Sequence, residues 1–178
     1  GLYSMEGTYC NLPALVALRE KYKYYLFVDE AHSIGALGAN GRGICEYYNI
    51  DPNRVDILMG TLTKSFGAAG GYVSGDRKVI ERLRLDITSN TYGESMPPAV
   101  LQQIATSMRI IAGELNGNEG KERLQRIAFN SRYLRLGLKR LGFIIYGADD
   151  SPVIPLLLYN PCKMPGFCRK MLQHGVAV

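Results

Sequence analysis

Two charged side chains, Lys64 and Asp29, each follow a short apolar run, and together they could act on a carbonyl compound. Lys64 lies within residues 60–67, Gly-Thr-Leu-Thr-Lys-Ser-Phe-Gly, and Asp29 ends another apolar run 35 residues earlier. A neutral lysine amine forms an imine with an aldehyde, but at the ordinary lysine pKa of about 10.4 well under ~0.1% is neutral at pH 7. Burial or a positive neighbour increases the neutral fraction, so a reactive lysine is expected in such surroundings.

The carboxylate supplies the second half of a known chemistry. An acid that faces the nitrogen of a pyridine ring keeps this nitrogen protonated and makes the ring an electron sink. Delivered by two separate strand ends, Lys64 and Asp29 therefore predict a pyridoxal phosphate site. Taken singly, Lys64 could be a surface lysine and Asp29 a strand-end carboxylate bound by loop amides, so the pairing carries the prediction.

The elements that must position this pair alternate along the chain. Residues 13–23 have helical spacing with Asn11 as a possible N-cap, and the apolar run 24–28 is typical of a strand buried on both faces. Further strands are predicted at 55–59 and 71–74. Connections of more than a dozen residues imply parallel pairing, and open parallel sheets place ligands at the carboxyl ends of their strands.

Beyond the prolines at 97 and 98 the pattern changes to long helices. Helices are predicted at 99–115, 120–141 and 166–174, and strands at 143–146 and 153–158. This indicates three parts: a partial large domain over 1–115, a connecting helix over 116–142, and the start of a smaller domain over 143–178. The chain reads as a piece of a longer protein.

Composition limits the other function classes. The net charge of +5 comes from Lys and Arg scattered over helical faces, which favours solvated surfaces over a nucleic-acid interface. Four cysteines without a Cys-x-x-Cys pair, with only two histidines, predict no metal site. No run approaches ~18 apolar residues, so we expect membrane contact only through parts outside this sequence.

Five motifs, in order, resemble those of the α-oxoamine synthases, fold-type-I pyridoxal phosphate enzymes that join an amino acid to an acyl-CoA. They are Tyr3–Gly7, Val28–Ser33, Gly41–Gly43, Gly60–Gly67 and Ser95–Pro98. The resemblance implies an α/β fold, with the large domain of a fold-type-I transferase around a mainly parallel sheet and the start of a smaller α+β domain.

Within this family the chain is most similar to the lysine-bearing, catalytic branch of the eukaryotic serine palmitoyltransferases. The similarity lies in residues 28–33, 63–67, 142–147 and 150–155. The sequences of 92–95 and 122–135 resemble those of the fungal enzymes. The sister subunit of that enzyme lacks the lysine.

The resemblance assigns roles to three residues of the predicted site. Lys64 would hold the cofactor through an imine and then act as the base for the substrate α-proton. Asp29 would pair with the pyridinium nitrogen. His32 would contact the ring's phenolic oxygen and help to position the acyl-CoA carbonyl.

Three hydroxyl residues complete the implied cofactor contacts. Ser4 would hydrogen-bond the phenolic oxygen, and Thr61 and Thr63 would reach the phosphate. Many relatives carry a hydroxyl where Gly93 stands, which contacts the phosphate across a dimer interface. Here Ser95 or backbone amides would have to replace it.

The implied reaction is a decarboxylating condensation of L-serine with palmitoyl-CoA to 3-ketodihydrosphingosine, the first step of sphingolipid synthesis. The implied partner is a related, lysine-free subunit in a heterodimer, at the cytosolic face of the endoplasmic reticulum membrane. The family's upstream glycine turn, ring-stacking histidine and downstream substrate-binding arginine lie outside these residues, so we expect the isolated piece to be inactive.

Three alternatives stay open. A sibling synthase would make 5-aminolevulinate, 2-amino-3-ketobutyrate or 8-amino-7-oxononanoate. The run Asp-Glu-Ala-His at 29–32 matches the metal-binding motif of DEAH-type ATPases. The phosphate-binding glycine motif of these ATPases should precede this run, and no such motif is found upstream of residue 29. A non-catalytic synthase subunit is opposed by the intact set of Asp29, His32 and Lys64.

Overall fold

The computed structural model describes all 178 residues as three strands, seven α-helices and two short 3-10 turns. The strands are β1 (Phe27–Asp29), β2 (Ile57–Thr61) and β3 (Gly71–Gly75). The helices are α1 (Leu12–Tyr22), α2 (Ile44–Tyr47), α3 (Arg77–Asp86), α4 (Thr88–Tyr92), α5 (Pro98–Ile111), α6 (Glu119–Arg140) and α7 (Met164–Gln173). The 3-10 turns are Pro52–Arg54 and Pro161–Lys163.

Helix α1 forms where its capping residues predict it. The Asn11 side chain accepts a hydrogen bond from the Ala14 backbone at 3.2 Å, which satisfies one of the free N–H groups of the first turn. Lys23 ends the helix in the left-handed conformation. The predicted bounds of 13–23 are correct to within one residue.

The sheet is small and mixed. β1 and β2 are parallel, with Phe27 opposite Ile57 and Asp29 opposite Met59, as the long connection between them predicts. β3 runs antiparallel to β2, with Thr61 opposite Gly71, because a loop of only nine residues joins the two strands. Parallel pairing is therefore correct for β1 and β2 and does not extend to β3.

Within these 178 residues strand β1 is buried on one face only, which differs from the predicted burial on both faces. Leu26 and Val28 are buried, whereas Tyr25 is 87% exposed and Phe27 56% exposed. This alternation is the ordinary period of a strand with one covered face. Within these residues, the core packs on the Val28 side alone.

Two apolar clusters hold the sheet ends in place. The larger packs α1 and α2 against β1 and includes Leu12 and Ile44, both fully buried. The smaller joins Leu62 and Phe66, just after β2, to Ile104 of α5. Both strands that carry predicted site residues are therefore anchored next to their carboxyl ends.

The second half of the chain has less strand than predicted, and the middle of the chain has more helix. Strands expected at 143–146 and 153–158 are absent apart from a single bridge between Ile145 and Leu156. Helices α3 and α4 were not predicted, and neither contains a buried residue. The proposed domain boundaries near 115 and 142 stay a prediction. No helix combines the length and the apolar character needed to cross a bilayer.

Candidate active site

The strand register places Asp29 and Thr61 on the same face of the sheet. Asp29 pairs with Met59 in the parallel ladder, and paired residues of neighbouring strands point to the same side. Thr61 follows Met59 by two residues and so shares this face. Both residues end their strands, so the carboxylate and the hydroxyl lie at one edge.

A tight turn after β1 sets the position of His32. The Asp29 carboxylate accepts a hydrogen bond from the Ala31 N–H at 2.7 Å, and the backbone carbonyl of Glu30 accepts from Ser33 and Ile34, each at 3.0 Å. His32 lies inside this turn and is partly buried. The backbone therefore brings the imidazole back toward the strand end that carries Asp29.

The loop after β2 carries Lys64. The Leu62 N–H donates to the Gly70 carbonyl at 2.9 Å, which closes the loop, and the Gly67 N–H donates to the Lys64 carbonyl at 3.1 Å. Leu62 and Phe66 are buried on either side of the lysine. Lys64 is thus held on an anchored turn with its own side chain outside the core.

The exposure of Lys64 differs from the sequence-based expectation. The argument from imine chemistry calls for burial or a positive neighbour, and the residues of this chain leave the Lys64 side chain exposed. Asp29 and Thr63 are exposed as well. Within these 178 residues, these side chains therefore lie at the surface, at the carboxyl ends of β1 and β2.

Thr61 and Thr63 form a pair of adjacent hydroxyls. Their Oγ1 atoms are 2.7 Å apart, and the Thr63 N–H donates to Thr61 Oγ1 at 3.3 Å. Thr61 Oγ1 also lies 3.3 Å from the Gly70 carbonyl, to which it donates. Each hydroxyl has a single proton, so the two could donate to the oxygens of a phosphate group only after turning away from their present acceptors.

The electrostatics link His32 to both charged residues. Burial lowers the pKa of His32, the positive charge of Lys64 lowers it further, and Asp29 acts in the opposite direction. His32 is therefore biased toward the neutral imidazole at neutral pH. Lys64 and Asp29 therefore both lie close enough to His32 to affect its charge.

Ser4 is placed less directly. It lies in a turn between Leu2 and Tyr9, which form a bridge, and its side chain is exposed. The backbone nitrogen of Gly1 donates to the Asp29 carbonyl, so this turn begins beside the end of β1. The structure brings the turn to the correct edge of the sheet but does not join the Ser4 hydroxyl to the other predicted residues.

Glu30 has a supporting role that sequence reasoning missed. It is 2% exposed, and its Oε2 accepts from the Ser33 hydroxyl at 3.3 Å and from the Ile44 N–H at 3.4 Å, while Oε1 has no partner. Burial raises the pKa of this carboxyl. Glu30 lies against Gly43, on the face opposite Asp29, and lines a separate cavity of about 420 Å³ with Tyr72. It braces the turn that carries His32.

Arg135 is the second residue that was missed. It is 1% exposed and lies on the buried stripe of α6 together with Leu124 and Ser131. A charged residue at a buried helical position was the available signal, since an arginine is almost never fully buried unless it is paired. Its hydrogen-bond partners are backbone carbonyls of the segment 146–153.

The donor set fits pyridoxal phosphate. An amine, a carboxylate, a neutral imidazole and two hydroxyls stand at the carboxyl ends of two adjacent parallel strands, where open α/β sheets bind ligands. Lys64 would reach the aldehyde carbon, Asp29 the ring nitrogen, and Thr61 with Thr63 the phosphate. This arrangement is that of the fold-type-I transferases.

Comparison with known proteins identifies the family. The family described as aminotransferase class I and II matches residues 1–178, and the chain belongs to it. The chain is 66% identical over its whole length to "Serine palmitoyltransferase 2" of Saccharomyces cerevisiae and spans 32% of the length of that protein. The resemblance to fungal serine palmitoyltransferases that the motifs predict is therefore confirmed.

Solved structures agree with this assignment. The structure of serine palmitoyltransferase from S. paucimobilis with a bound PLP-myriocin aldimine matches this chain with a TM-score of 0.89 and 31% identity. The match covers all of this chain and 45% of the S. paucimobilis chain. An 8-amino-7-oxononanoate synthase from Francisella tularensis covers the whole chain with a TM-score of 0.82 but at 23% identity, so it supports the fold alone. The chain thus matches half or less of each of these two structures.

Proposed function

We propose that this chain forms part of the catalytic subunit of a serine palmitoyltransferase. The complete protein would use pyridoxal phosphate to condense L-serine with palmitoyl-CoA, releasing carbon dioxide, coenzyme A and 3-ketodihydrosphingosine. The single observation that carries the proposal is the clustering of Lys64, Asp29 and His32 at adjacent strand ends, since each is also required by this chemistry.

Each residue has one task in the proposed reaction. The cofactor, when bound, supplies an electron sink for the negative charge that develops at the serine α-carbon. Lys64 Nζ would accept the α-proton, and the Asp29 carboxylate would pair with the ring nitrogen and keep it protonated. His32, biased toward its neutral form, can donate one N–H to the thioester carbonyl while its other nitrogen stays unprotonated.

The bonds that change follow from these roles. A new bond forms between the serine α-carbon and the thioester carbonyl carbon, and the coenzyme A thiolate leaves. The bond from the α-carbon to the serine carboxyl breaks and releases carbon dioxide, and the α-carbon then takes a proton, which Lys64 would return. Thr61 and Thr63 take no part in these steps but would hold the cofactor phosphate and so limit the movement of the ring.

Substrate choice separates the proposal from its nearest rival. A sibling α-oxoamine synthase would use the same cofactor residues with a different amino acid or acyl chain. The 66% identity to a protein named as a serine palmitoyltransferase favours serine and a long-chain acyl-CoA. A nucleotide-driven motor with the same Asp-Glu-Ala-His run has no support in the fold family.

The partner and location belong to the same proposal. We propose that the complete protein pairs with a related, lysine-free subunit, with its active site at the dimer interface. We also propose that it works at the cytosolic face of the endoplasmic reticulum, held there by parts outside these 178 residues. A homodimer with full activity would contradict the first of these proposals, and a complete protein found in the soluble fraction of cells would contradict the second.

Borohydride reduction of the full-length protein with pyridoxal phosphate tests the cofactor assignment. We expect peptide mass mapping to find the pyridoxyl group on Lys64 and not on Lys78, an exposed lysine at the start of α3. No adduct at Lys64 would overturn the assignment. The Lys64→Ala variant should stay folded, because the side chain is exposed, and lose all turnover; retained turnover would remove Lys64 from its role.

A substrate panel then tests the reaction. Serine, glycine and alanine should be offered with acyl-CoAs of different lengths, and release of the free thiol followed. We expect serine with a C16 acyl-CoA to give the highest kcat/KM. A preference for glycine or for a short acyl-CoA would assign the protein to a sibling synthase while leaving the cofactor site intact.

A further inference from the structure

Arg135 is a buried cation whose hydrogen-bond partners are all backbone carbonyls. Its guanidinium donates to the carbonyls of Tyr146, Ser151 and Val153, with distances of 3.4 Å to Ser151 and 2.9 Å to Val153. A fully buried charge is costly unless hydrogen bonds compensate it. Arg135 therefore fixes the segment 146–153 to α6.

The same segment packs against the turn that carries Ser4. The Ala148 N–H donates to the Gly7 carbonyl at 3.0 Å. Gly7 has a φ of +64°, and a Cβ added there would lie 2.7 Å from the Val153 carbonyl oxygen. The Val153 carbonyl thus meets the Arg135 guanidinium on one side and the Gly7 backbone on the other.

A second contact ties this segment to the strand-end region. Tyr47, in α2, donates to the Asp150 carboxylate at 2.9 Å. Tyr9 lies near the same carboxylate, and its pKa is raised by burial and by the Asp150 charge. Residues 146–153 are therefore wedged between α6, α2 and the turn of residues 3–8, and Arg135 holds their backbone in place.

We propose that Arg135 is a positioning residue for the cofactor site. By fixing the carbonyls of Ser151 and Val153, it fixes Gly7 and with it the turn that presents Ser4 to the cofactor ring. The inference rests on the proposed function and on the role that the family resemblance implies for Ser4, a hydrogen bond to the phenolic oxygen of the cofactor. Arg135 does not touch the cofactor and acts only through the backbone of this turn.

The experiment measures the affinity of the full-length apoprotein for pyridoxal phosphate by absorbance titration. We expect the Arg135→Lys variant to bind the cofactor about tenfold more weakly. Lysine keeps the positive charge and hydrogen-bond donors but loses the planar guanidinium that bonds three carbonyls. Arg140→Lys is the matched control, since Arg140 is an exposed arginine in the last turn of the same helix, and its affinity should be unchanged. Gly7→Ala pushes on the Val153 contact from the other side and should give a similar loss.

A double-mutant cycle separates positioning from general destabilisation. If Arg135 acts through Ser4, Arg135→Lys should weaken binding less than threefold once Ser4→Ala is already present. Losses that multiply, or affinities of Arg135→Lys and Gly7→Ala within twofold of wild type, would overturn the proposal. If Arg135→Lys does not fold, Gly7→Ala with Ser4→Ala decides the question by the same rule.

The test is distinct from that of the proposed function. A wild-type protein that forms the Lys64 adduct keeps its cofactor assignment even if Arg135→Lys binds normally, and the positioning role alone is then lost. A wild-type protein that takes up no cofactor would overturn both.

Discussion

Gly43 offers the sharpest test of how the turn that carries His32 is held. Its backbone has φ +82° and ψ −156°, a region that is essentially restricted to glycine. A Cβ added at this position would lie 1.7 Å from Glu30 Oε2, inside the buried pocket of that carboxylate. Gly43→Ala therefore strains the backbone and displaces Glu30 at once.

The cost can be worked out from these two effects. A residue held in a disfavoured backbone region costs about 1–3 kcal/mol. Moving Glu30 disturbs its hydrogen bonds from Ser33 and Ile44, at 3.3 and 3.4 Å, each worth about 1 kcal/mol net at such lengths. The sum, roughly 3–5 kcal/mol, is a large part of the ~5–15 kcal/mol that keeps an ordinary protein folded.

Urea denaturation of the full-length protein measures this loss, and cofactor titration measures its effect on the site. We expect Gly43→Ala to lose about 3–5 kcal/mol and to bind pyridoxal phosphate more weakly, because the turn with His32 rests on Glu30. Gly137→Ala is the control: no atom lies within 4 Å of its added Cβ, and alanine gains about 0.5–1 kcal/mol over glycine in a helix. A loss below about 1 kcal/mol for Gly43→Ala would refute the reasoning.

Three further predictions concern other parts of the molecule. Lys64→Ala should raise the pKa of His32 toward its ordinary value of ~6.5, because the positive charge that lowers this pKa is removed. NMR of the imidazole follows the titration, and an unchanged pKa would mean that the two groups are far apart. Asp56→Asn should lower the free energy of unfolding at neutral pH, because the hydrogen bond from Arg19 lowers the pKa of Asp56 in the folded state. The contribution of Asp56 to stability is present above about pH 4 and is lost as the pH falls through the folded pKa. The variant should therefore show a smaller dependence on pH in this acid range, and an identical pH dependence would count against the ion pair. Leu12→Ala, at a fully buried position, should cost about 2–5 kcal/mol in urea denaturation, and a cost near zero would mean that the cluster around α1 is not the main core.

The parts of the fold that the sequence predicts well are those with local signals. Asn11 caps α1 through its own side chain, and the apolar run before Asp29 ends in a strand. Asp29 and Lys64 were predicted as site residues because reactive side chains follow apolar runs, and Asp29 does end a strand that pairs in parallel with β2. The cofactor site could be predicted because it depends on residue type and on the ends of strands, and short segments of sequence indicate both.

The parts that were missed depend on contacts between distant segments. Residues 153–158 have strand-like composition, but the Val153 carbonyl bonds Arg135 instead of a neighbouring strand. Phe27 faces outward although its run is uniformly apolar, because burial depends on which face other elements cover. Helix α3 has charges at i and i+4 that pair, such as Arg77 with Glu81, which agrees with the interpretation of the scattered Lys and Arg as solvated helical faces, although no bounds were predicted for this helix.

The antiparallel pairing of β2 with β3 has a consequence for the order in which the chain folds. Thr61 and Gly71, which close the loop around Lys64, are ten residues apart, whereas Asp29 and Met59 are thirty residues apart. Short loops close at a lower entropic cost and faster than long ones. We therefore expect the hairpin with the reactive lysine to form early and the strand that brings its carboxylate partner to dock later, so that the two halves of the site meet only near the end of folding.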